Sequence, residues 1–75
     1  LPSLREIGCM FVEHTERLVK LLGSERFAVL QARKFSKYYA RTMPAKLQFC
    51  EAINQCNDLQ NLKVICNNYF NQSNG

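Results

Sequence analysis

The sequence predicts an all-α protein folded as one compact four-helix bundle, and three observations support this fold class. Apolar side chains recur three and four residues apart along most of the chain, which is the spacing of one helix face. Helix caps and stops divide the chain into four segments joined by short connections, so neighbouring helices should fold back on one another. No segment alternates apolar and polar residues as a half-buried strand does. At 75 residues the chain is long enough for one domain, residues 1–75, and too short for two.

The first predicted helix begins with a capping box and ends at a glycine. Ser3 and Glu6 have the spacing at which each side chain satisfies a free backbone N–H of the other residue. Gly23 supplies the left-handed residue that commonly terminates a helix. The apolar stripe between these signals comprises Leu4, Ile7, Phe11, His14, Leu18 and Leu22.

A serine and a proline place the second and third helices. Ser24 caps a second helix that is predicted to run to about Arg41. Pro44 cannot continue that helix but suits the first turn of another, so a third helix is predicted over residues 44–54. Its apolar side is expected to comprise Leu47, Cys50 and Ile53.

The fourth helix is predicted from a capping residue and an apolar stripe. Either Asn57 or Asp58 caps it. The polar end of the chain, residues 71–75, is expected to fray. The apolar stripe comprises Leu59, Leu62, Ile65, Cys66, Tyr69 and Phe70.

Positive charge is concentrated in the middle of the chain. Residues 24–46 hold six cations against Glu25, a net charge of +5, whereas the other residues hold four cations against five acids, a net charge of −1. Such asymmetry favours a polyanionic partner, although a solvated helix face would give the same composition. No helix combines a wide apolar face with flanking cations, and no apolar run approaches the roughly 18 residues of a membrane span. No membrane partner is therefore predicted.

The second helix should carry a basic face and an apolar face. At about 100° per residue its cations fall within roughly a quarter of the circumference. Ala28, Ala32, Phe35 and Tyr39 lie on the opposite side, where they would enter the core, and Tyr38 lies at the edge of the basic face. Each cation in such a row can displace a counterion from a phosphate backbone. The cations are Arg26, Arg33, Lys34, Lys37 and Arg41, with Lys46 following on the next helix.

The other residues that could carry chemistry favour structural roles. Four cysteines without a Cys-x-x-Cys pair, together with one histidine, make a poor zinc site, so no metal is predicted. Cys9, Cys50 and Cys66 fall on or near apolar faces, which favours buried free thiols over two disulfides. His14 lies on the apolar stripe of the first helix, and nothing beside it suggests catalysis, so a packed histidine is favoured. The chain itself is expected to carry no catalytic site and no cofactor.

Several motifs occur along the chain in the order of one enzyme family. A basic run is followed by a Met-Pro turn and an Ile-Asn pair, with a Ser-Leu-Arg-Glu start upstream and a Tyr-Phe end downstream. Together they resemble the C-terminal helical domain of bacterial tRNA-dihydrouridine synthases, most closely the B-type branch, over nearly the whole chain. Phe35 stands where that family usually has His, Tyr38 replaces Trp, and Cys50 replaces an Arg. The motif residues are Ala32, Arg33, Lys34, Phe35, Lys37, Tyr38, Tyr39, Met43, Pro44, Ile53 and Asn54.

The resemblance implies a longer parent enzyme. Its TIM barrel would precede this chain, bind FMN, use NAD(P)H as reductant, and reduce a selected tRNA uridine to dihydrouridine. The helical domain would hold the folded tRNA, as a monomer in the cytoplasm, and the start at Leu1 without a Met fits a piece of a longer protein. Its tRNA contacts would come from Arg33, Lys34, Lys37 and Arg41, with Arg26 and Lys46 at the ends of the patch and Tyr38 against a ribose or base.

A second class of function stays open beside this one. The chain could be a free-standing helical protein-interaction module, secreted and linked by disulfides. The state of the four cysteines separates the two hypotheses, because a cytoplasmic domain keeps its thiols reduced.

Overall fold

The computed structural model describes residues 2–71 and confirms an all-α four-helix bundle. Throughout this range there is no β-strand. The first and longest helix packs against the second and the fourth, and the third packs against the second and the fourth. The helices are α1 (Leu4–Leu22), α2 (Glu25–Tyr39), α3 (Lys46–Asn54) and α4 (Leu59–Phe70). The expected fraying of the C-terminal end falls mostly on residues 72–75, outside the described residues.

The caps of α1 form as the sequence predicts. The Ser3 hydroxyl accepts a hydrogen bond from the Glu6 N–H at 3.1 Å, and the Glu6 carboxylate accepts one from the Ser3 N–H at 2.8 Å. At the other end, Gly23 has a φ of 69° and donates its N–H to the Val19 carbonyl. The left-handed conformation is strained for any residue with a Cβ, so this glycine sets where α1 ends.

The caps of α2 and α4 form in the same way. The Ser24 hydroxyl accepts from the Phe27 N–H at 3.2 Å. The Asp58 carboxylate accepts from the Asn61 N–H at 2.8 Å, so Asp58 caps α4 and Asn57 precedes the cap.

The connection between α2 and α3 is longer than predicted. The second helix ends at Tyr39 rather than Arg41, and the third begins at Lys46 rather than Pro44. The side chain of Met43 is buried, and its N–H bonds to the Ala40 carbonyl to close a turn. Pro44 also disfavours helical geometry at the residue before it, Met43, and this separates α2 from α3 at this point.

Aromatic rings fill the centre of the bundle. The Phe11 ring is fully buried and lies 6.0 Å from the Phe49 ring and 5.1 Å from the Tyr39 ring. The Phe49 ring in turn meets the Phe70 ring edge-on at 5.1 Å, so one aromatic chain links all four helices. Gly8 makes this packing close, because a Cβ there would lie 2.6 Å from the Cβ of Phe70.

The predicted apolar side of α3 is partly wrong. Ile53 is buried and Cys50 half-buried, but Leu47 is 75% exposed. Phe49 occupies the core position instead. Its side chain is larger than that of Leu47 and packs against the Phe11 ring, which leaves Leu47 facing solvent.

Candidate nucleic-acid interface

Four cations and a tyrosine of the basic run are exposed to solvent. Arg26, Lys34 and Lys37 lie on α2 and Arg41 in the turn that follows it. Tyr38, between two of these cations, is 66% exposed. In residues 2–71 none of these five side chains makes a hydrogen bond or an ion pair, so their charges and the phenol are available to a partner.

The one acid on α2 is directed away from this face. Glu25 accepts a hydrogen bond from the Leu59 N–H at 2.9 Å, at the first residue of α4. The N-terminus of a helix carries partial positive charge and unpaired N–H groups, which stabilise a carboxylate. The basic face of α2 is therefore not neutralised by its own helix.

Arg33 has a different environment from the other predicted phosphate ligands. It is half-buried, and its Nε and Nη2 donate to the Cys56 carbonyl at 3.2 and 2.6 Å. Its Nη2 also donates to the Asn57 side-chain oxygen at 3.0 Å. These bonds tie α2 to the connection between α3 and α4. Sequence periodicity places Arg33 on the basic face but carries no signal for this contact.

Lys46 and Arg41 lie beyond the end of α2. Arg41 is exposed in the turn, and Lys46 is the half-buried first residue of α3. The basic patch thus crosses from one helix to the next, whereas the sequence predicts that α2 carries Arg41.

The opposite face of α2 is held by packing. Ala28, Val29 and Ala32 are fully buried, and Ser36 is nearly so, with its hydroxyl donating to the Arg33 carbonyl at 3.1 Å. Small side chains let α1 approach closely, so the backbone of α2 is fixed from behind. The exposed cations therefore project from a rigid element.

A histidine and two aromatic rings join α1 to this packed face. The His14 ring stacks on the Phe35 ring with 4.3 Å between centroids and 12° between planes. Its Nδ1 lies 3.0 Å from the Tyr39 hydroxyl. This contact agrees with the packed histidine that the sequence favours.

The cysteines differ in burial, and all four are unpaired. Cys56 and Cys66 are buried, and Cys50 is half-buried. Burial raises the pKa of the Cys66 thiol to about 12 and also raises that of Cys56, whose Sγ donates to the Asp58 carbonyl. The prediction that Cys9 packs on an apolar face is wrong: Gly8 makes that contact with Phe70, and Cys9 is exposed.

Neither a metal site nor a membrane-spanning helix occurs in the part of the chain that the structure describes. No group of three or more His, Cys, Asp or Glu side chains could hold a metal ion there. Nor is any helix within residues 2–71 both long and apolar enough to cross a membrane.

The fold and this surface define a small helical bundle with a basic, partly aromatic face. No family model, curated protein or solved structure matches the chain.

Proposed function

We propose that this chain is the tRNA-binding helical domain of a tRNA-dihydrouridine synthase. The observation that carries the proposal is the row of exposed cations on and after α2, none of which has an acidic partner within residues 2–71. A rigid row of unpaired cations is suited to a phosphate backbone, because each cation that meets a phosphate releases a condensed counterion. The family resemblance of the same residues names the ligand as tRNA.

The dimensions of α2 suit backbone recognition. Lys34 and Lys37 are three residues apart, a rise of about 4.5 Å along the helix axis. Arg41 follows in the turn, and its guanidinium can grip a phosphate at two points. Side chains cannot read base edges in the deep groove of A-form RNA, so recognition would depend on shape and backbone.

The remaining residues of the patch have subsidiary roles. Arg26 and Lys46 extend it at either end. Arg33 holds α2 in place through Nε and Nη2, and its Nη1, which makes no hydrogen bond within residues 2–71, remains available to a phosphate. Tyr38, exposed between cations, can stack on a ribose or an unpaired base.

The chemistry belongs to the proposed parent enzyme. Its TIM barrel would bind FMN, accept reducing equivalents from NAD(P)H and reduce one uridine of the tRNA. The domain would present the folded tRNA to that barrel, as one copy, in the cytoplasm. Under this proposal the barrel supplies the catalytic residues, and residues 1–75 supply only residues that bind tRNA.

A charge-matched pair of variants tests the proposal. Lys37→Ala with Arg41→Ala removes two charges from the basic face, and Arg17→Ala with Lys20→Ala removes two from an exposed part of α1. We expect the first variant to bind tRNA about tenfold or more weakly, and the second to change binding less than about threefold, by fluorescence anisotropy at fixed salt. Both should unfold within about 0.5 kcal/mol of wild type, because exposed substitutions cost little.

Equal losses of affinity in the two variants would mean that only net charge matters, and the basic face would not be the binding surface. Undiminished binding by the first variant would lead to the same conclusion.

A protein-interaction module is favoured by a different surface, the exposed apolar side chains where α1 meets α2. Its secreted, disulfide-linked form is tested by a thiol count in denaturant without reductant. Four free thiols are expected for the tRNA-binding domain, and two or none for a secreted factor.

A further inference from the structure

Three apolar side chains are exposed at the end of the bundle where α1 meets α2. Leu21 is 79% exposed, Phe27 61% and Leu22 44%. Each lies within four residues of the Gly23–Ser24 connection, so they share one end of the bundle. Large apolar side chains clustered at one exposed place commonly mark a binding surface.

The local structure holds these side chains outward. Gly23 closes α1 with its N–H on the Val19 carbonyl, and Ser24 caps α2 through the Phe27 N–H. Because these hydrogen bonds form at the end of α1 and the start of α2, the two-residue connection is held in one conformation. Leu21, Leu22 and Phe27 are therefore exposed because the folded connection holds them there.

Three cations lie close to the apolar side chains along the helices: Lys20 precedes Leu21, Arg26 precedes Phe27, and Arg17 lies one turn before Leu21. Arg17, Lys20 and Arg26 are exposed, and none of them makes an ion pair or a hydrogen bond within residues 2–71. We name this surface the corner; it comprises Arg17, Lys20, Leu21, Leu22, Arg26 and Phe27.

The nearby acids point elsewhere. Glu25 bonds to the Leu59 N–H, and Glu16 pairs with Lys63 at 2.9 Å on the side of α4. Glu13 lines the groove between α1 and α4. The corner is therefore positively charged as well as apolar.

A shallow, open hollow along α1 overlaps the corner at Arg17, Lys20 and Leu21. Its walls are mainly apolar, and its lining contains two cations and no acid: it is formed by His14, Arg17, Leu18, Lys20 and Leu21. The spacing of most of these residues, three and four apart, makes the hollow parallel to the helix axis. A second helix could pack on such an open, mainly apolar helix face.

We propose that the corner binds an acidic amphipathic helix of a partner protein. The apolar side of that helix would cover Leu21, Leu22 and Phe27, and its carboxylates would meet Arg17, Lys20 and Arg26. Aromatic and aliphatic side chains at the centre with charges at the rim are the usual anatomy of a protein interface. Opposite charges at the rim select the partner.

Other occupants fit the corner less well. A second copy of the chain would bring two sets of the same three cations together. A phosphate backbone gains nothing from two leucines. A lipid surface is entered by protruding apolar groups and would leave the hollow unfilled. The corner shares Arg26 with the basic face of α2, but its apolar side chains, Arg17 and Lys20 lie outside that face. Binding of an acidic helix therefore does not depend on tRNA binding.

The test uses the full 75-residue chain, labelled with ¹⁵N. The probe is a synthetic 15-residue peptide with leucine on one helical face and glutamate elsewhere. We expect saturable shifts of the amide resonances of residues 14–27. Leu21→Ser with Phe27→Ser, and separately Lys20→Glu with Arg26→Glu, should weaken binding at least about tenfold, whereas Lys37→Ala with Arg41→Ala should leave it within about twofold.

Four outcomes would overturn the proposal: shifts centred outside residues 14–27, no saturation at millimolar peptide, equal binding of a leucine–lysine peptide, or retained binding by the corner variants. Phosphatidylglycerol vesicles and tRNA serve as competitors. If either shifted the resonances of Arg17, Lys20, Leu21 and Leu22 more strongly than the peptide, the surface would belong to that ligand instead. Circular dichroism of each variant establishes that it is folded.

Discussion

At the scale of single residues, Arg33 shows how a cation on a basic face can hold the fold together. Its guanidinium donates twice to the Cys56 carbonyl and once to Asn57, across the boundary between α2 and the α3–α4 connection. Cys56 itself is buried, so the loss of this donor would leave a buried carbonyl without its partner.

We expect Arg33→Ala to lower the free energy of unfolding by about 1–3 kcal/mol, because a charged hydrogen-bond donor is lost. The matched change Lys34→Ala, at an exposed neighbour, should cost less than about 0.5 kcal/mol. Urea unfolding followed by circular dichroism measures both. Arg33→Lys keeps the charge without the planar fork, so it should lose stability while retaining most tRNA affinity. Equal stability of the Arg33→Ala and Lys34→Ala variants would contradict this role.

Cys66 couples stability to alkaline pH. Burial raises the pKa of its thiol from 9.0 to about 12, so the folded chain keeps the proton where the unfolded chain loses it. The contribution of the Cys66 thiol to the free energy of unfolding is therefore complete below pH 9, and it decreases as the pH rises from 9 towards 12. The free energy of unfolding should fall by up to about 1.4 kcal/mol per pH unit in that window because of this one group.

Cys66→Ala isolates this effect from the other groups that titrate above pH 9. The variant should be less stable at pH 7, because a buried side chain is removed, and its stability should fall less steeply between pH 9 and 11. Urea unfolding at several pH values gives both slopes. Parallel pH profiles for the variant and the wild type would show that Cys66 titrates alike in the folded and unfolded chains.

At the scale of elements, α2 has one packed face and one charged face. Ala28, Ala32 and Ser36 fix its backbone, and the aromatic contact between His14 and Phe35 joins it to α1. Its cations can therefore keep their spacing without a ligand. Preorganised groups lose less conformational entropy on binding, which favours a rigid helix over a basic tail as a surface for folded RNA.

Local signals made most of the elements predictable. Ser3, Gly23, Ser24 and Asp58 set helix ends through bonds to atoms three or four residues away, so the sequence contains the whole cause. The periodic stripes of α1 and α4 were predictable as well, apart from Leu22, which lies at the end of α1 and is 44% exposed. The exposed positions of Arg26, Lys34 and Lys37 on α2 were predictable from helical spacing.

Contacts between distant residues were not predictable in this way. The rotation of α3 depends on Phe49 meeting Phe11, which lies 38 positions earlier in the chain. The bonds of Arg33 to Cys56 and the turning of Glu25 toward Leu59 likewise join separate helices. A pattern read along one helix carries no information about such partners.

At the scale of the whole molecule, acidic and basic side chains are concentrated on different surfaces. The groove between α1 and α4 holds Glu13 and Glu16, with Lys63 paired to the latter. Most of the cations without an ion pair in residues 2–71 lie on the basic face of α2 or at the corner, whereas Arg5 lies in the groove. A bundle of this size thus presents two positive surfaces, one with an exposed tyrosine and one with exposed leucines and a phenylalanine.

The dependence of tRNA affinity on salt tests the central claim most directly. Each phosphate contact contributes about 0.9 to the slope of log K against log salt on a duplex. Replacing Lys37 and Arg41 by Ala should therefore reduce the slope by roughly 2, whereas replacing Arg17 and Lys20 should leave it unchanged. An unchanged slope in the first variant, or an equal reduction in both, would contradict the assignment of the basic face of α2 as the phosphate-binding surface.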